Sequence, residues 1–166
     1  LFGEALRSAP ALRERMQLVT KCNIKLLSDA RPAHRVKHYD SSAEHIVTSV
    51  EASLRNLATD HLDLLLLHRP DVLLDADEVA EAFESLRRAG KVRAFGVSNF
   101  LPHQFELLAS RTALVTNQVE FSPLALDVLF DGTLDQAQRL RTPPMIWSPL
   151  AGGRLFTSHE PRAVRV

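Results

Sequence analysis

Three side chains suited to carbonyl chemistry stand at or near the ends of short apolar runs: Lys21, His68 and Trp147. A lysine ammonium beside an acidic group lowers the pKa of that acid, because the opposite charge favours ionisation. An imidazole donates a hydrogen bond to a carbonyl oxygen and stabilises the negative charge that develops there. A flat indole stacks on a planar ring. These residue types would suit a site that polarises a carbonyl group beside a planar ligand. A surface lysine, a strand-end histidine bonded to a neighbouring backbone carbonyl and a core tryptophan are the plain structural interpretations of the same residues.

A second group of residues is suited to binding an amide and a phosphate. Ser98 and Asn99 end the third apolar run, and their small polar side chains suit recognition of an amide. Farther along, the sequence 152–154 reads Gly-Gly-Arg, and glycine lets the backbone approach a pyrophosphate closely. Capping of strand ends and a simple turn are the plain structural interpretations of the same residues.

These residues depend on five apolar runs that alternate with helical patterns. The five runs are Gln17–Ile24, Leu62–His68, Val92–Asn99, Leu114–Phe121 and Pro144–Leu150. Apolar residues recur at helical spacing between the runs. The predicted helices are Ser42–Asn56, Asp75–Arg88 and Pro102–Ser110, with a weaker pattern over Leu126–Leu140 that Gly132 interrupts.

The alternation of strands and helices predicts right-handed βαβ units and a parallel sheet. An open doubly wound sheet and a sector of a (β/α)8 barrel both satisfy it. The open sheet would gain from a glycine-rich phosphate loop after the first strand, and Leu18–Ser28 contains no glycine. The barrel gains from polar residues at the carboxyl ends of the strands, where barrel active sites lie. The predicted fold class is α/β, and the position of the polar residues favours the sector of a (β/α)8 barrel over the open sheet.

Five motifs in chain order carry a resemblance to a known family. They are Thr20-Lys21-Cys22, LDLLLLHRPD (62–71), GKVRAFGVSNF (90–100), TNQVEFSP (116–123) and WSPLAGGRL (147–155). The set resembles the aldo-keto reductases, which are NADPH-dependent (β/α)8-barrel enzymes that reduce aldehydes and ketones. The resemblance runs from about Phe2 to Phe156 and is closest to the bacterial branch of general oxidoreductases.

The resemblance implies a role for each matching residue. Lys21 would stand beside a catalytic tyrosine and an aspartate, and His68 would be the active-site histidine. Ser98, Asn99 and Gln118 would contact the nicotinamide carboxamide. The residues expected to lie against the nicotinamide ring and to wrap the phosphates of NADP(H) are Trp147, Ser148, Pro149, Leu150, Gly152 and Arg154. Arg69 and Asp71 are interpreted as residues that order the loop, and Glu120 receives no role.

The chain also departs from the family pattern. The tyrosine and aspartate are expected before the lysine strand, but Leu1–Gln17 contains neither. The single tyrosine, Tyr39, comes after Lys21 and does not inherit the role. No motif for a 2′-phosphate follows in Thr157–Val166, and a barrel of this type takes about 250 residues. We therefore expect residues 1–166 to form one partial domain, an incomplete TIM barrel with about five of the eight βα units. Such an internal fragment would have no normal turnover by itself.

Composition narrows the function classes. The 20 basic and 20 acidic residues balance, which disfavours nucleic acid as a partner. No apolar run approaches the roughly 18 residues of a membrane span, and a lone Cys22 forms no internal disulfide. The histidines, including His34 and His38, predict no metal site. We expect a cytoplasmic protein that acts on a small carbonyl substrate, and the oligomeric state is left open, a monomer included.

Two alternatives stay open at this point. The same scaffold would serve a non-enzymatic subunit that binds the nucleotide and acts as a sensor or regulator. A different barrel chemistry, a Schiff-base aldolase, would use Lys21 as its nucleophile.

Overall fold

The structure, a computed structural model, describes residues 1–29, 32, 35–157 and 161. Predictions that concern His34, His159 and most of the tail beyond Thr157 lie outside the described residues. The strands are β1 (Val19–Cys22), β2 (Ile24–Lys25), β3 (His38–Tyr39), β4 (Leu62–Leu67), β5 (Val92–Ser98), β6 (Asn117–Glu120) and β7 (Met145–Trp147).

Five of these strands form one parallel sheet in the order β1-β4-β5-β6-β7. A helix connects each strand of this sheet to the next strand of the sheet, which is the repeated βαβ unit of the predicted barrel. Five neighbouring strands of a (β/α)8 barrel are therefore present, and the predicted fold class is confirmed. The remaining strands, β2 and β3, pair with each other as a small antiparallel hairpin.

Three of the predicted helices are present with bounds shifted by one residue: α2 (Ala43–Leu57), α3 (Ala76–Arg88) and α4 (Pro102–Ala109). The weaker pattern over Leu126–Leu140 is a 3-10 turn at Asp127–Leu129 followed by α5 (Thr133–Leu140). The structure adds α1 (Phe2–Ser8), α6 (Arg154–Thr157) and 3-10 turns at Pro10–Arg15 and Ala151–Gly153. No helix among the described residues has the length and apolar character needed to cross a bilayer.

Local sequence explains where the two longest helices begin. The Ser42 hydroxyl accepts a hydrogen bond from the His45 N–H at the start of α2. The Asp75 carboxylate accepts from the N–H groups of Asp77 and Glu78 at the start of α3. Each cap satisfies backbone donors that have no partner within the helix. The cap residues therefore fix the residue at which each of these connecting helices begins.

The core lies between the sheet and its outer helices. Leu65 and Leu67 on β4 are fully buried against the helices, and so are Val79 and Phe83 on α3. The rings of Phe83 and Phe95 stack with their centroids 4.0 Å apart, which joins α3 to β5. Burial of large side chains on this scale stabilises each strand–helix contact by roughly 1.5–3 kcal/mol per side chain. The strands that end in the polar site residues are thus held rigidly by their packing against the helices.

The first apolar run differs from its prediction as one continuous strand. Asn23 has a left-handed backbone with φ of +74°, and this turn ends β1 and starts β2. The chain after β2 returns as β3, which pairs Tyr39 with Ile24. A single residue with positive φ is not visible in hydrophobic periodicity, and asparagine is one of the few residues that adopts it readily.

Candidate functional site

The carboxyl ends of the parallel strands bring the predicted site residues to one edge of the sheet. Lys21 on β1 is in register with Leu66, two residues before His68. Ser98 on β5 is in register with Gln118 on β6, and Glu120 on β6 is in register with Trp147 on β7. Side chains that are far apart in sequence therefore lie side by side, as predicted from the barrel pattern.

One cavity of about 580 Å³ contains both residues predicted to be catalytic. Lys21 and His68 line it, together with Arg69, Lys37 and Tyr39. The rest of the described wall comes from one face of α2 and from Cys22, Asn23, Ile24 and Leu26. Among the described lining residues there is no carboxylate, so the cavity favours an occupant that carries or develops negative charge.

His68 is held in its neutral form by its surroundings. Burial lowers the pKa of its imidazole, and the positive charges of Lys21, Arg69 and Lys37 lower it further. Both causes disfavour a second proton on the ring. At neutral pH His68 therefore keeps one N–H donor and one nitrogen acceptor, the form that hydrogen-bonds a carbonyl oxygen without transferring a full charge.

Lys21 is likewise affected by its position. Burial lowers the pKa of its ammonium, and the nearby Arg69 charge acts in the same direction. The side chain is partly buried at the end of β1, where it faces the cavity. When protonated, a lysine placed this way supplies a positive charge to the cavity.

Arg69 belongs to the site, although the sequence interpretation assigned it only to loop ordering. Its guanidinium carbon lies 5.9 Å from the centroid of the Trp147 ring, within the range of a cation–π contact. Arg69 thereby joins the Lys21–His68 cavity to the Trp147 side of the site. Its place directly after His68 was a signal, but sequence does not show which way a side chain turns after a strand end.

Asp71 has the structural role that the sequence predicted. Its carboxylate accepts hydrogen bonds from the N–H of Ser41 at 3.2 Å and from the N–H of Leu73 at 3.0 Å. The first bond ties the loop after β4 to the segment before α2. This loop is therefore fixed in place next to His68 and Arg69.

A chain of side-chain hydrogen bonds connects the ends of β5, β6 and β7. The Trp147 indole N–H donates to Asn99 Oδ1 at 3.0 Å, and Asn99 Nδ2 donates to Ser98 Oγ at 2.8 Å. The Ser98 hydroxyl in turn donates to the backbone oxygen of Gln118 at 3.0 Å. The plane of the Trp147 ring is therefore set by Asn99, and Ser98, which is fully buried, supports Asn99 from behind.

Gln118 carries a hydrogen-bond acceptor in need of a donor. Its Oε1 is buried and has no hydrogen-bond partner among the residues the structure describes. A buried acceptor left unpaired costs free energy, and such atoms in native proteins usually have a ligand or water partner. An amide N–H from a bound molecule would satisfy it. This is the atom through which the residues present fit a carboxamide group.

The loop after β7 has an unusual run of left-handed backbone. Ser148, Ala151, Gly152 and Gly153 all have positive φ, between 51° and 89°. Short turns close the loop, since Ala151 N–H donates to Ser148 O at 2.8 Å. Gly152 and Gly153 are exposed, and a Cβ at either would meet nothing within 4 Å. Turns of this kind present backbone N–H groups to an anion.

The remaining predicted loop residues surround this turn. Pro149 and Leu150 are exposed, and the exposed Arg154 donates from Nε to the Ala151 oxygen at 3.3 Å. A second, smaller cavity of about 240 Å³ lies beside Trp147 and includes Asn99, Arg69 and Glu120. Glu120, which received no role from sequence, therefore borders the site as well.

No group of three or more histidine, cysteine, aspartate or glutamate side chains is placed to hold a metal ion within residues 1–29 and 35–157. Cys22 is buried and its pKa is raised to about 12 by that burial, so it stays a thiol. Lys25, which lies on β2, forms an ion pair with Asp40.

Comparison with known sequences identifies close relatives. The family model described as the Aldo/keto reductase family matches residues 1–164. The oxidoreductase YdhF of Escherichia coli is 61% identical over 157 residues, which cover 93% of this chain and 52% of that protein. The uncharacterized oxidoreductase YcsN of Bacillus subtilis is 55% identical over 168 residues, covering 100% of this chain and 56% of that protein. A 6-dehydroglucose reductase of Agrobacterium fabrum is 52% identical, covering 95% and 54%.

Solved structures match the fold over nearly the whole chain. The glycerol dehydrogenase of Gluconobacter oxydans superposes with a TM-score of 0.83 at 28% identity, covering 96% of this chain and 47% of that one. An aldo-keto reductase of Bacillus halodurans gives 0.79 at 28% identity, covering 96% and 50%. The chain thus spans about half the length of the relatives that it matches.

Proposed function

The chain belongs to the aldo/keto reductase family, and on that premise we propose that it forms the nicotinamide-facing and substrate-facing part of an NADPH-dependent reductase of aldehydes and ketones. The observation that carries the proposal is the meeting of two groups at one sheet edge. Lys21 and His68 share a cavity, and Arg69 connects that cavity to the Trp147–Asn99 pair.

The residues present fit NADPH, which supplies a hydride when it is bound. The unpaired Gln118 Oε1 would accept from the carboxamide, and Asn99 holds the Trp147 ring in a fixed plane for stacking. Ser98 acts through Asn99. Gly152 and Arg154, with Ser148, Pro149 and Leu150, would enclose the phosphates in the loop after β7.

The chain's own residues would then act on the carbonyl oxygen. Neutral His68 donates a hydrogen bond to that oxygen and fixes its direction. Lys21 and Arg69 place positive charge where negative charge develops during reduction, in a cavity whose described lining holds no carboxylate. By the family resemblance the proton donor is a tyrosine paired with Lys21, and Tyr39, although it lines the cavity, follows Lys21 in the chain and is not that residue.

The test is carbonyl reduction by the complete protein that contains this chain. Sugar-derived and short hydroxylated aldehydes lead the substrate panel, because relatives carry the names 6-dehydroglucose reductase and glycerol dehydrogenase. We expect NADPH oxidation that depends on the aldehyde, and a loss of kcat of about 100-fold or more in Lys21→Met and in His68→Gln. Lys91→Met, which removes a cation paired with Glu51 outside the cavity, is the control. Normal turnover in Lys21→Met would refute the role of Lys21.

A separate measurement distinguishes a reductase from a nucleotide sensor. Trp147 is the only tryptophan of the chain, so its fluorescence reports on a single site. We expect NADPH to quench it in the 166-residue chain, but only the complete protein to turn over. Binding of NADPH without turnover in the complete protein would favour the sensor.

The Schiff-base alternative is tested on Lys21 itself. The lowered pKa of Lys21 is the one observation in its favour, because a neutral amine is the nucleophile. Borohydride added with an aldehyde would trap an imine as a mass increase on Lys21. We expect no such mass. The preference for NADP over NAD and a cytoplasmic location are proposed on the family pattern, and cofactor titration and cell fractionation of the complete protein test them.

A further inference from the structure

Asn23 is a fully buried polar residue at the end of β1, two positions after Lys21. Its backbone adopts a left-handed conformation, and its carbonyl oxygen accepts from the Asp40 N–H at 3.0 Å. The chain therefore turns at Asn23 from β1 into the β2–β3 hairpin, and the same residue ties the end of that hairpin back to the turn.

The Asn23 side chain reaches across to the neighbouring strand end. Its Oδ1 accepts from the backbone N–H of His68 at 3.0 Å and of Arg69 at 3.2 Å. Its Nδ2 donates to the backbone oxygen of Arg69 at 2.7 Å and to the Ser41 hydroxyl at 3.2 Å. An amide side chain offers two donors and two acceptor sites, so all four are in use.

We propose that Asn23 is a positioning residue that holds the His68–Arg69 backbone against the strand carrying Lys21, and so sets the spacing of the three side chains in the reductase site. The inference rests on the proposed function for the roles of Lys21 and His68. Asn23 touches no reacting atom in this account. It acts through the backbone of the residues that do.

The hydrogen bonds of the Asn23 side chain indicate that it positions the His68–Arg69 backbone and is not merely a buried polar group. The parallel ladder between β1 and β4 continues to the His68 N–H, which also donates to Cys22 O at 3.1 Å. At the next residue, Arg69, the Asn23 side-chain amide takes the place of a neighbouring strand. It hydrogen-bonds both the N–H and the carbonyl oxygen of Arg69. Arg69 is also the residue whose guanidinium faces Trp147. The directions of His68 and Arg69 are thus both fixed by one side chain.

Two variants distinguish the effect of the Asn23 side-chain hydrogen bonds from the effect of its left-handed backbone. Asn23→Gly keeps the left-handed φ, which glycine adopts freely, and removes all four side-chain bonds. Asn23→Asp keeps the shape and the two acceptor bonds but loses donation to Arg69 O. Gln136→Met is the matched control, since Gln136 is a buried amide on α5 that donates to Pro102 O at 2.7 Å, away from the cavity.

Amide hydrogen exchange in the 166-residue chain tests the bonds directly and requires no activity. We expect the Arg69 N–H to lose protection by about tenfold or more in Asn23→Gly, to keep most of it in Asn23→Asp, and to be unchanged in Gln136→Met. Unchanged protection of Arg69 in Asn23→Gly would overturn the inference. If Asn23→Gly does not fold, the kcat of Asn23→Asp tests the inference instead.

Kinetics of the complete protein test the consequence for catalysis. We expect Asn23→Gly to lower kcat by about 10- to 100-fold, while KM and the NADPH Kd stay within about twofold of the wild-type values. The reason is that the side chains of His68 and Arg69 are misplaced but still present. Asn23→Asp should recover part of kcat, and Gln136→Met should leave kcat unchanged at a comparable fall in Tm. Wild-type kcat in both Asn23 variants would refute positioning, whereas absence of turnover in the wild-type protein would refute the proposed function instead.

Discussion

The charges around His68 are the most informative feature at the scale of single residues. Burial and three nearby cations all lower the pKa of its imidazole. Those cations are Lys21, Arg69 and Lys37, which come from three different segments of the chain. A histidine at a strand end predicts none of this, since the sequence cannot show how many positive groups the fold brings to it.

Removing one cation should raise the pKa of His68. In Lys21→Met the largest Coulombic contribution is lost, so the imidazole becomes easier to protonate. The measurement is an NMR titration of the His68 ring signals. Arg69→Gln should act in the same direction, and Lys91→Met should leave the titration unchanged. A His68 pKa that stays fixed in Lys21→Met would contradict the cavity electrostatics.

The same lowered pKa makes His68 a source of acid sensitivity. In the unfolded chain the imidazole binds a proton below its ordinary pKa of about 6.5, whereas in the folded chain it stays neutral to lower pH. The unfolded state therefore binds more protons as the pH falls, and stability is lost there. Urea unfolding at about pH 7.5 and about pH 5.5 should show a smaller loss in His68→Gln than in the wild type. Equal losses would argue against a neutral His68.

At the scale of elements, the contact between β5 and β6 depends on Gly96. A Cβ at this position would lie 2.7 Å from the backbone oxygen of Thr116 and 2.8 Å from Leu66 Cδ2. The Thr116 oxygen accepts from the Val97 N–H, so it cannot move without loss of a ladder bond. The close approach of these strands is what brings Ser98 next to Gln118.

Gly96→Ala should destabilise the chain by about 3 kcal/mol, the upper range for overpacking, because a backbone atom blocks the new methyl group. Gly90→Ala is the control, since a Cβ there meets nothing within 4 Å and only the positive φ is strained, at a cost of about 1 kcal/mol. Urea unfolding monitored by circular dichroism measures both. Equal destabilisation in the two variants would show that the β5–β6 approach is not tight.

Element-level prediction from sequence succeeded where local signals are strong. The predicted helices begin at Ser42 and Asp75, which are the residues that cap α2 and α3, and the run Leu62–His68 was predicted as a strand and forms β4. It failed at the end of β1, where a single asparagine with positive φ turns the strand into a hairpin. The helix over Leu126–Leu140 was predicted only in its second half, and the structure has α5 there.

At the scale of the whole molecule, the sheet of the described residues has two open edges. β1 pairs only with β4, and β7 pairs only with β6, within this sheet. Both edges lie in a parallel sheet whose strands present unpaired backbone N–H and carbonyl groups. Such edges pair readily with other chains.

The 166-residue chain should therefore self-associate, and a charge on an edge strand should reduce this. Val19 on β1 is 40% exposed, so Val19→Lys places a charge on the edge at little cost to the core. Sedimentation velocity across a concentration series is the measurement, with Val115→Lys, at an exposed position outside the edge strands, as the control. A concentration-independent monomer in the wild-type chain would contradict the expectation.

The sequence alone was sufficient to place Lys21, His68 and Trp147 at or next to strand ends, because alternating apolar and polar patterns are local and βαβ units align their carboxyl ends at one edge. Gln118 was also predicted at a strand end, but it is the second residue of β6. The sequence did not show that Arg69 faces Trp147 or that Asn23 holds the backbone of His68. Those contacts join residues from different strands, and they depend on the register, twist and turn geometry of neighbouring elements. Such quantities arise only when the strands pack together, so they are a property of the folded sheet.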